Sequence, residues 1–148
     1  LIYMTNTLNG KWVFDSHLFV YSQDTKSKFH KTAKELFQKI LSGEIQAVMA
    51  QQNIIETERV LIQVYKRKNE DVIKLLEEII AEFSIQIITP LPTTYIRFHH
   101  FLKNLGGRID IFDYYLAATM LDNNISQILT ANDKDFTKIP GIKAVNPF

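Results

Sequence analysis

The chain of 148 residues contains no cysteine. That excludes disulfides, thiolate nucleophiles and Cys-ligated zinc, and agrees with a reducing compartment. Charge of one sign is also lacking: Lys+Arg 17 against Asp+Glu 16 gives a formal net charge of +1 at pH 7. No broad field advertises a polyanionic partner, so any nucleic-acid site must be local. No stretch approaches the roughly 20 apolar residues of a membrane span, and the start LIYMTNTLNGKW has no basic segment followed by an apolar run. A soluble, cytoplasmic protein with no membrane partner is expected. Met4 is the first candidate for a natural start, with residues 1–3 then an upstream extension, and residues 1–10 are expected to be irregular. Tight-hairpin signals, repeats, linkers and low-complexity tracts are missing as well. One domain over residues 1–148 is the simplest reading, large enough to bury roughly two thirds of its unfolded surface.

What is present is an alternation of short apolar runs with helical stripes. KWVFD (11–15), QAVMA (46–50), IQIIT (85–89), ISQILT (125–130) and the closing IKAVNPF read as strands. SHLFVYSQD begins a helical turn that breaks near Asp24–Ser27, and FHKTAKELFQKILSG carries apolar residues at 29, 33, 36, 37, 40 and 41 before Gly43. QNIIETERVLIQVYKRK, DVIKLLEEIIAEF, PTTYIRFHHFLKNLGG and IDIFDYYLAATMLDNN read as further helices. Strands separated by helices, without hairpins, predict a central, mostly parallel sheet covered on both faces, a three-layer α/β/α fold.

In such sheets ligands bind beyond the carboxyl ends of the strands. Asp15 ends the first strand and Asp133 follows the fourth; Glu56 lies early in the helix after the second strand, and Asp113 in the first turn of the helix after the glycine pair. Each acid alone has an ordinary explanation: Asp15 or Asp113 as a cap worth roughly 0.5–2 kcal/mol, Glu56 on a solvated face beside Glu58, and Asp133 in a turn before Lys134. Capping, however, predicts no common sheet edge for four carboxylates. Clustered carboxylates raise one another's pKa, so the arrangement makes sense with a divalent cation, and oxygen-only donors favour Mg²⁺ or Mn²⁺. One such ion, or two about 3.5–4 Å apart, can drive phosphodiester hydrolysis. Removing one crowded anion, as in Asp15→Asn, is expected to relieve repulsion in the metal-free protein.

Four blocks, VFDSHLFVY, NIIETERVL, DYYLAATML and LTANDKDF…IPGIKAVNPF, together resemble a PIN domain, the fold of VapC-type toxin ribonucleases, from Lys11 to Phe148. The resemblance implies an acidic quartet, catalytic and metal-holding, at Asp15, Glu56, Asp113 and Asp133, with Ser16 and Thr130 at small hydroxyl positions and Asn132 orienting its loop. It implies a Mg²⁺- or Mn²⁺-dependent endoribonuclease acting on tRNA or another structured RNA, a homodimer, and a small antitoxin of a VapBC-type pair whose tail occupies the acid pocket. His17 departs from the family's small polar residue. Asp110, one helical turn before Asp113, competes for its role, and Asp135 is read as a cap of the last short helix.

A haloacid-dehalogenase-type phosphatase would need an acid where His17 stands, and a receiver domain would need paired acids at the first strand end. The alternatives that remain are a PIN-like RNA- or protein-binding module without catalysis, and an RNA-processing nuclease without an antitoxin. Arg59, Arg97, Lys103 and Arg108 are unranked candidates for RNA phosphates. Lys66, Arg67 and Lys68 suit a helix end. The adjacent His99 and His100 point about 100° apart on a helix and cannot share a site. Phe112, Tyr114 and Tyr115 are read as core or subunit contacts, with base stacking on an exposed Tyr as the other use.

Overall fold

The computed structural model describes residues 10–107 and 109–148. The residues expected to form an irregular extension therefore lie almost wholly outside the described part. Five strands, β1 (Lys11–Phe14), β2 (Gln46–Ala50), β3 (Gln86–Ile88), β4 (Gln127–Leu129) and β5 (Lys143–Val145), form one sheet in the order β3-β2-β1-β4-β5. Every pairing is parallel. The helices are α1 (Ser16–Gln23), α2 (His30–Leu41), α3 (Gln51–Arg59), α4 (Asn69–Glu82), α5 (Thr94–Leu105), α6 (Ile111–Asp122) and α7 (Asp133–Phe136).

The two-residue period of each strand sorts its side chains onto two cores. Val13, Val48, Ile88 and Ile128 face a core completed by Phe101 of α5, Ala117 and Met120 of α6, and Phe136 of α7. Trp12, Phe14, Met49 and Leu129 face the other, completed by Leu18 and Phe19 of α1, Leu36 and Phe37 of α2, and Ile79 of α4. Strands covered on both sides must be apolar on both, which is why Trp12, Val13 and Phe14 are all fully buried. The result is the three-layer α/β/α architecture expected.

From β1 the chain winds outward through β2 to β3, then returns to place β4 on the other side of β1. The carboxyl ends of β1 and β4 are thus neighbours at the point where the winding reverses, the place where this architecture opens a crevice. The Asp15 amide donates to the Leu129 carbonyl at 3.1 Å and stitches the two ends together.

Two local expectations change. The long helix read through QNIIETERVLIQVYKRK is α helical only to Arg59 and then widens into a π turn, Val60–Val64, closed by the Tyr65 amide donating to the Val60 carbonyl at 3.1 Å. The Tyr65 hydroxyl donates to Asp24 Oδ2 at 2.8 Å and the Arg67 guanidinium to the Gln23 carbonyl at 3.0 Å, so this end is tied to the loop after α1. Arg67 is thereby occupied structurally. Asp135 does not cap the last helix: α7 begins at Asp133, Asn132 holds the cap position, and Asp135 sits inside the first turn, 3.4 Å from Lys138 Nζ.

Candidate metal-binding nuclease site

Asp15 answers the choice between cap and pocket residue by being both. Its backbone leaves β1 extended (φ −66°, ψ 156°), and its Oδ1 accepts from the Ser16 amide at 2.8 Å to start α1. Its Oδ2 accepts from the Thr130 hydroxyl at 2.7 Å, just past the end of β4. Asn53 Nδ2 adds a long 3.4 Å contact to Oδ1. Only 6 % exposed, this carboxylate is ringed by neutral donors.

Thr130 carries the connection onward. Its Oγ1 accepts from the Asn132 amide at 3.0 Å, and Asn132 Nδ2 donates to Asp113 Oδ2 at 2.7 Å. A continuous hydrogen-bonded path therefore joins Asp15 on the sheet edge to Asp113 on α6. Across the crevice, Gln52 Nε2 donates both to Glu56 Oε1 at 3.2 Å and to the Phe112 carbonyl at 3.1 Å, fixing Glu56 and tying α3 to the start of α6. The fully buried Asn53 accepts from the Ala50 amide at 3.1 Å and so locks the start of α3 onto the end of β2.

Asp15, Glu56 and Asp113 line one cavity of about 380 Å³, with Ser16, His17, Arg59, Asp110, Phe112 and Asn132. Three of the four expected acids are thus brought together. Asp133 is not among the lining residues; its Oδ1 takes a weak 3.4 Å bond from Asn146 Nδ2. Asp110 reaches the cavity but spends Oδ1 on capping α6 through the Phe112 amide at 2.8 Å. Arg97 is paired with Asp122 at 2.6 Å beside a different, larger cavity of about 760 Å³, so it does not serve the acids. The Asp122 carboxylate there is spent on Arg97, Thr93 and Thr94. His99 packs on Tyr95 and Phe98 while His100 meets Asn104, and neither faces the acids. Arg108 lies outside the described residues.

The electrostatics separate the acids by environment. Burial pushes the Asp15 carboxyl up, but His17, Thr130 and the Ser16 amide outweigh it and hold the group below the usual carboxylate value. The His17 contact, Nδ1 to Oδ2 at 3.8 Å, is an ion-pair distance rather than a hydrogen bond. Asp15 raises the His17 imidazole in turn, against burial and with help from Glu56 and Asp113. Burial raises Glu56, with Asp15 adding to it and Gln52 opposing. Asp113 is pushed up to about 6 by burial and by the charges of Asp15 and Asp110. A divalent cation would relieve this crowding, and the donors are the hard oxygens that Mg²⁺ and Mn²⁺ prefer. By charge and donor type the residues fit such an ion, although among the described residues no three acidic or histidine side chains stand as a closed metal-binding group.

The PIN domain family profile matches residues 12–142. The chain belongs to the PIN domain family. By sequence, no curated protein is a significant match. Solved structures share the fold at low identity. A chain of the DNA-bound VapBC complex from Salmonella typhimurium superposes with a TM-score of 0.67 at 17% identity, covering 93% of this chain and 98% of that one. A chain of the VapBC2 complex from Rickettsia felis, bound to a DNA fragment from its promoter, gives 0.66 at 18% identity with the same coverage. VapC20 from Mycobacterium tuberculosis, described as a Sarcin-Ricin loop cleaving toxin, gives 0.66 at 15% identity, covering 86% of this chain and 93% of that one.

In this PIN domain the α3 residues Gln52 and Asn53 escaped the sequence reading. The signal available was an amide side chain three residues after the last residue of β2, the spacing at which a capping-box residue reaches back to the N-cap amide. Thr130, by contrast, was implied by the family resemblance, and its position makes a prediction. Thr130→Val removes a fully buried donor to Asp15 and an acceptor for Asn132, and is expected to cost about 1–3 kcal/mol in urea unfolding at pH 7. Because the hydroxyl favours ionised Asp15, the penalty should shrink as pH falls below the usual carboxylate range. Thr130→Ser should keep most of the stability, and an equal loss at every pH would contradict this role.

Proposed function

We propose that this PIN domain is a Mg²⁺- or Mn²⁺-dependent ribonuclease. The observation that carries the reading is that Asp15, Glu56 and Asp113, from three separate segments, line one cavity at the point where the sheet's winding reverses. When bound, the cation neutralises these anions, stabilises the charge that develops on a phosphodiester and activates water. Asp15, held against its burial below the usual carboxylate value by His17, Thr130 and the Ser16 amide, is the anionic anchor of this reading. Asp113 is held in register with it through Asn132 and Thr130. Glu56, fixed by Gln52, stands where it can complete the donor set or orient the attacking water and take its proton. Asp133, at the start of α7, stands outside the cavity lining, so in this reading it acts only if the α7 start moves toward the other three acids. His17 lines the same cavity and, protonated, offers a donor to a phosphate oxygen.

The toxin half of a VapBC-type pair is the biological setting we favour, supported by the likeness in fold to chains of VapBC complexes. In that setting the partners are a structured RNA such as tRNA, a small antitoxin and a second copy of the chain, all in the cytoplasm.

The test is cleavage of total RNA by the purified protein with Mg²⁺, Mn²⁺ or chelator, alongside growth after induction with and without a neighbouring small open reading frame. Metal-dependent cleavage and growth arrest relieved by the neighbour are expected. Cleavage without toxicity would fit an RNA-processing nuclease. Intact RNA would leave a binding module.

A further inference from the structure

Phe112 was expected in the core or at a subunit contact, and of the three aromatics at the start of α6 it behaves differently. Tyr114 is buried, with its hydroxyl donating to the Gly106 carbonyl at 2.6 Å, and Tyr115 packs edge-on against Phe98. Phe112 is 62 % exposed and has no ring partner among the described residues, yet it lines the cavity that holds the acids. Its backbone is held at both ends: its amide donates to Asp110 and its carbonyl accepts from Gln52. A large apolar ring is thus left in water on a rigid mount at the mouth of a polar site. Arg59 stands on the same cavity, one helical turn after Glu56, exposed and without an ion pair among the described residues.

A flat apolar face and an unpaired guanidinium beside carboxylates make a mixed surface. It suits one kind of occupant: an unpaired nucleotide, whose base stacks on the ring while its phosphate meets the arginine. A duplex keeps its bases stacked on each other and offers no such face. We infer that Phe112 and Arg59 form a nucleotide subsite next to the acids, which selects an unstacked base immediately beside the bond to be cut. The inference rests on the nuclease reading and adds to it the residue that reads the substrate's shape.

A cycle between protein and RNA tests it. Once the cleavage site in cellular RNA is mapped, oligonucleotides are made with the nucleotide on each side of that site, in turn, replaced by an abasic residue. For one of the two positions the wild type should lose about tenfold in kcat/KM on losing the base, the scale of a single stacking contact. Phe112→Leu should cut the intact and the abasic RNA with the same kcat/KM, because the stacking partner is already gone. Phe112→Trp should restore the tenfold discrimination, a result that mere filling of space would not give. Arg59→Gln should weaken both RNAs equally, since it loses phosphate and not base. An abasic penalty that persists in full in Phe112→Leu overturns the subsite while leaving the nuclease standing. A change in the native mass of Phe112→Leu with unchanged discrimination overturns it in favour of a protein contact. No cleavage by the wild type overturns the nuclease reading and the subsite together.

Discussion

Asp113→Asn is expected to reduce RNA cleavage by at least about 10²–10³-fold, the scale on which loss of one electrostatic contributor to the transition state is felt, and at the same time to stabilise the metal-free protein. The second half follows from the sign of the shift. The folded pKa of Asp113, about 6, lies above the ordinary value of 3.8, so the folded state holds this proton more tightly than the unfolded chain does. The stability that goes with it is complete below about pH 3.8 and is lost as pH rises through about 6. At pH 7 the wild type carries the whole penalty, and asparagine, with no proton to lose, escapes it. Asp113 is only half-buried, so solvent screening reduces the gain to about 1–2 kcal/mol, which thermal melts at pH 4 and pH 7 will resolve as a difference that appears only at the higher pH.

Asp15→Asn should cost as much cleavage with the opposite effect on stability. Crowding alone suggested that removing this anion would relieve repulsion; the structure corrects that, because Ser16, Thr130 and Asn53 all donate to it. An amide in its place would turn an NH₂ group toward one of those donors, at a cost of about 1–3 kcal/mol. The Asp15 contribution is present above the ordinary carboxylate value and is lost as pH falls through its depressed pKa, so the two asparagine variants should diverge at neutral pH and converge in acid. Undiminished cleavage by both variants would end the assignment of these acids.

Mg²⁺ or Mn²⁺ at about 100 times its Kd should stabilise the wild type by about 2.7 kcal/mol, a rise of several degrees in Tm for a chain of this length. Chelator should remove the gain. Asp113→Asn should lose most of it, since a carboxamide supplies the oxygen without the charge. A nonspecific salt effect would instead appear with NaCl at matched ionic strength and survive the substitution. Because this readout is thermal and not catalytic, it tests the metal site independently of any RNA.

Much of this was legible in the chain. The parallel three-layer fold followed from apolar runs separated by helical stripes, and Asp15 and Asp113 were found because both stand at element ends, where an acid is visible against its neighbours. Thr130 and Asn132 came only through the family resemblance, since nothing in the strand that ends at Leu129 marks them by itself. Less visible were Gln52 and Asn53, which look like ordinary helix-surface amides until their partners are known, and Phe112, which looks like core.

The sequence by itself determined the order of elements and the sheet edge on which the acids fall, because periodicity and end signals are local. Tertiary structure alone decided which acids share a cavity. Asn132, the cap residue before α7, lines the site, and Asp133, the first residue of that helix, does not. It also decided that Asp15 is satisfied rather than crowded, since its partners Asn53 and Thr130 stand 38 and 115 residues away in the chain and no local pattern carries information across that distance.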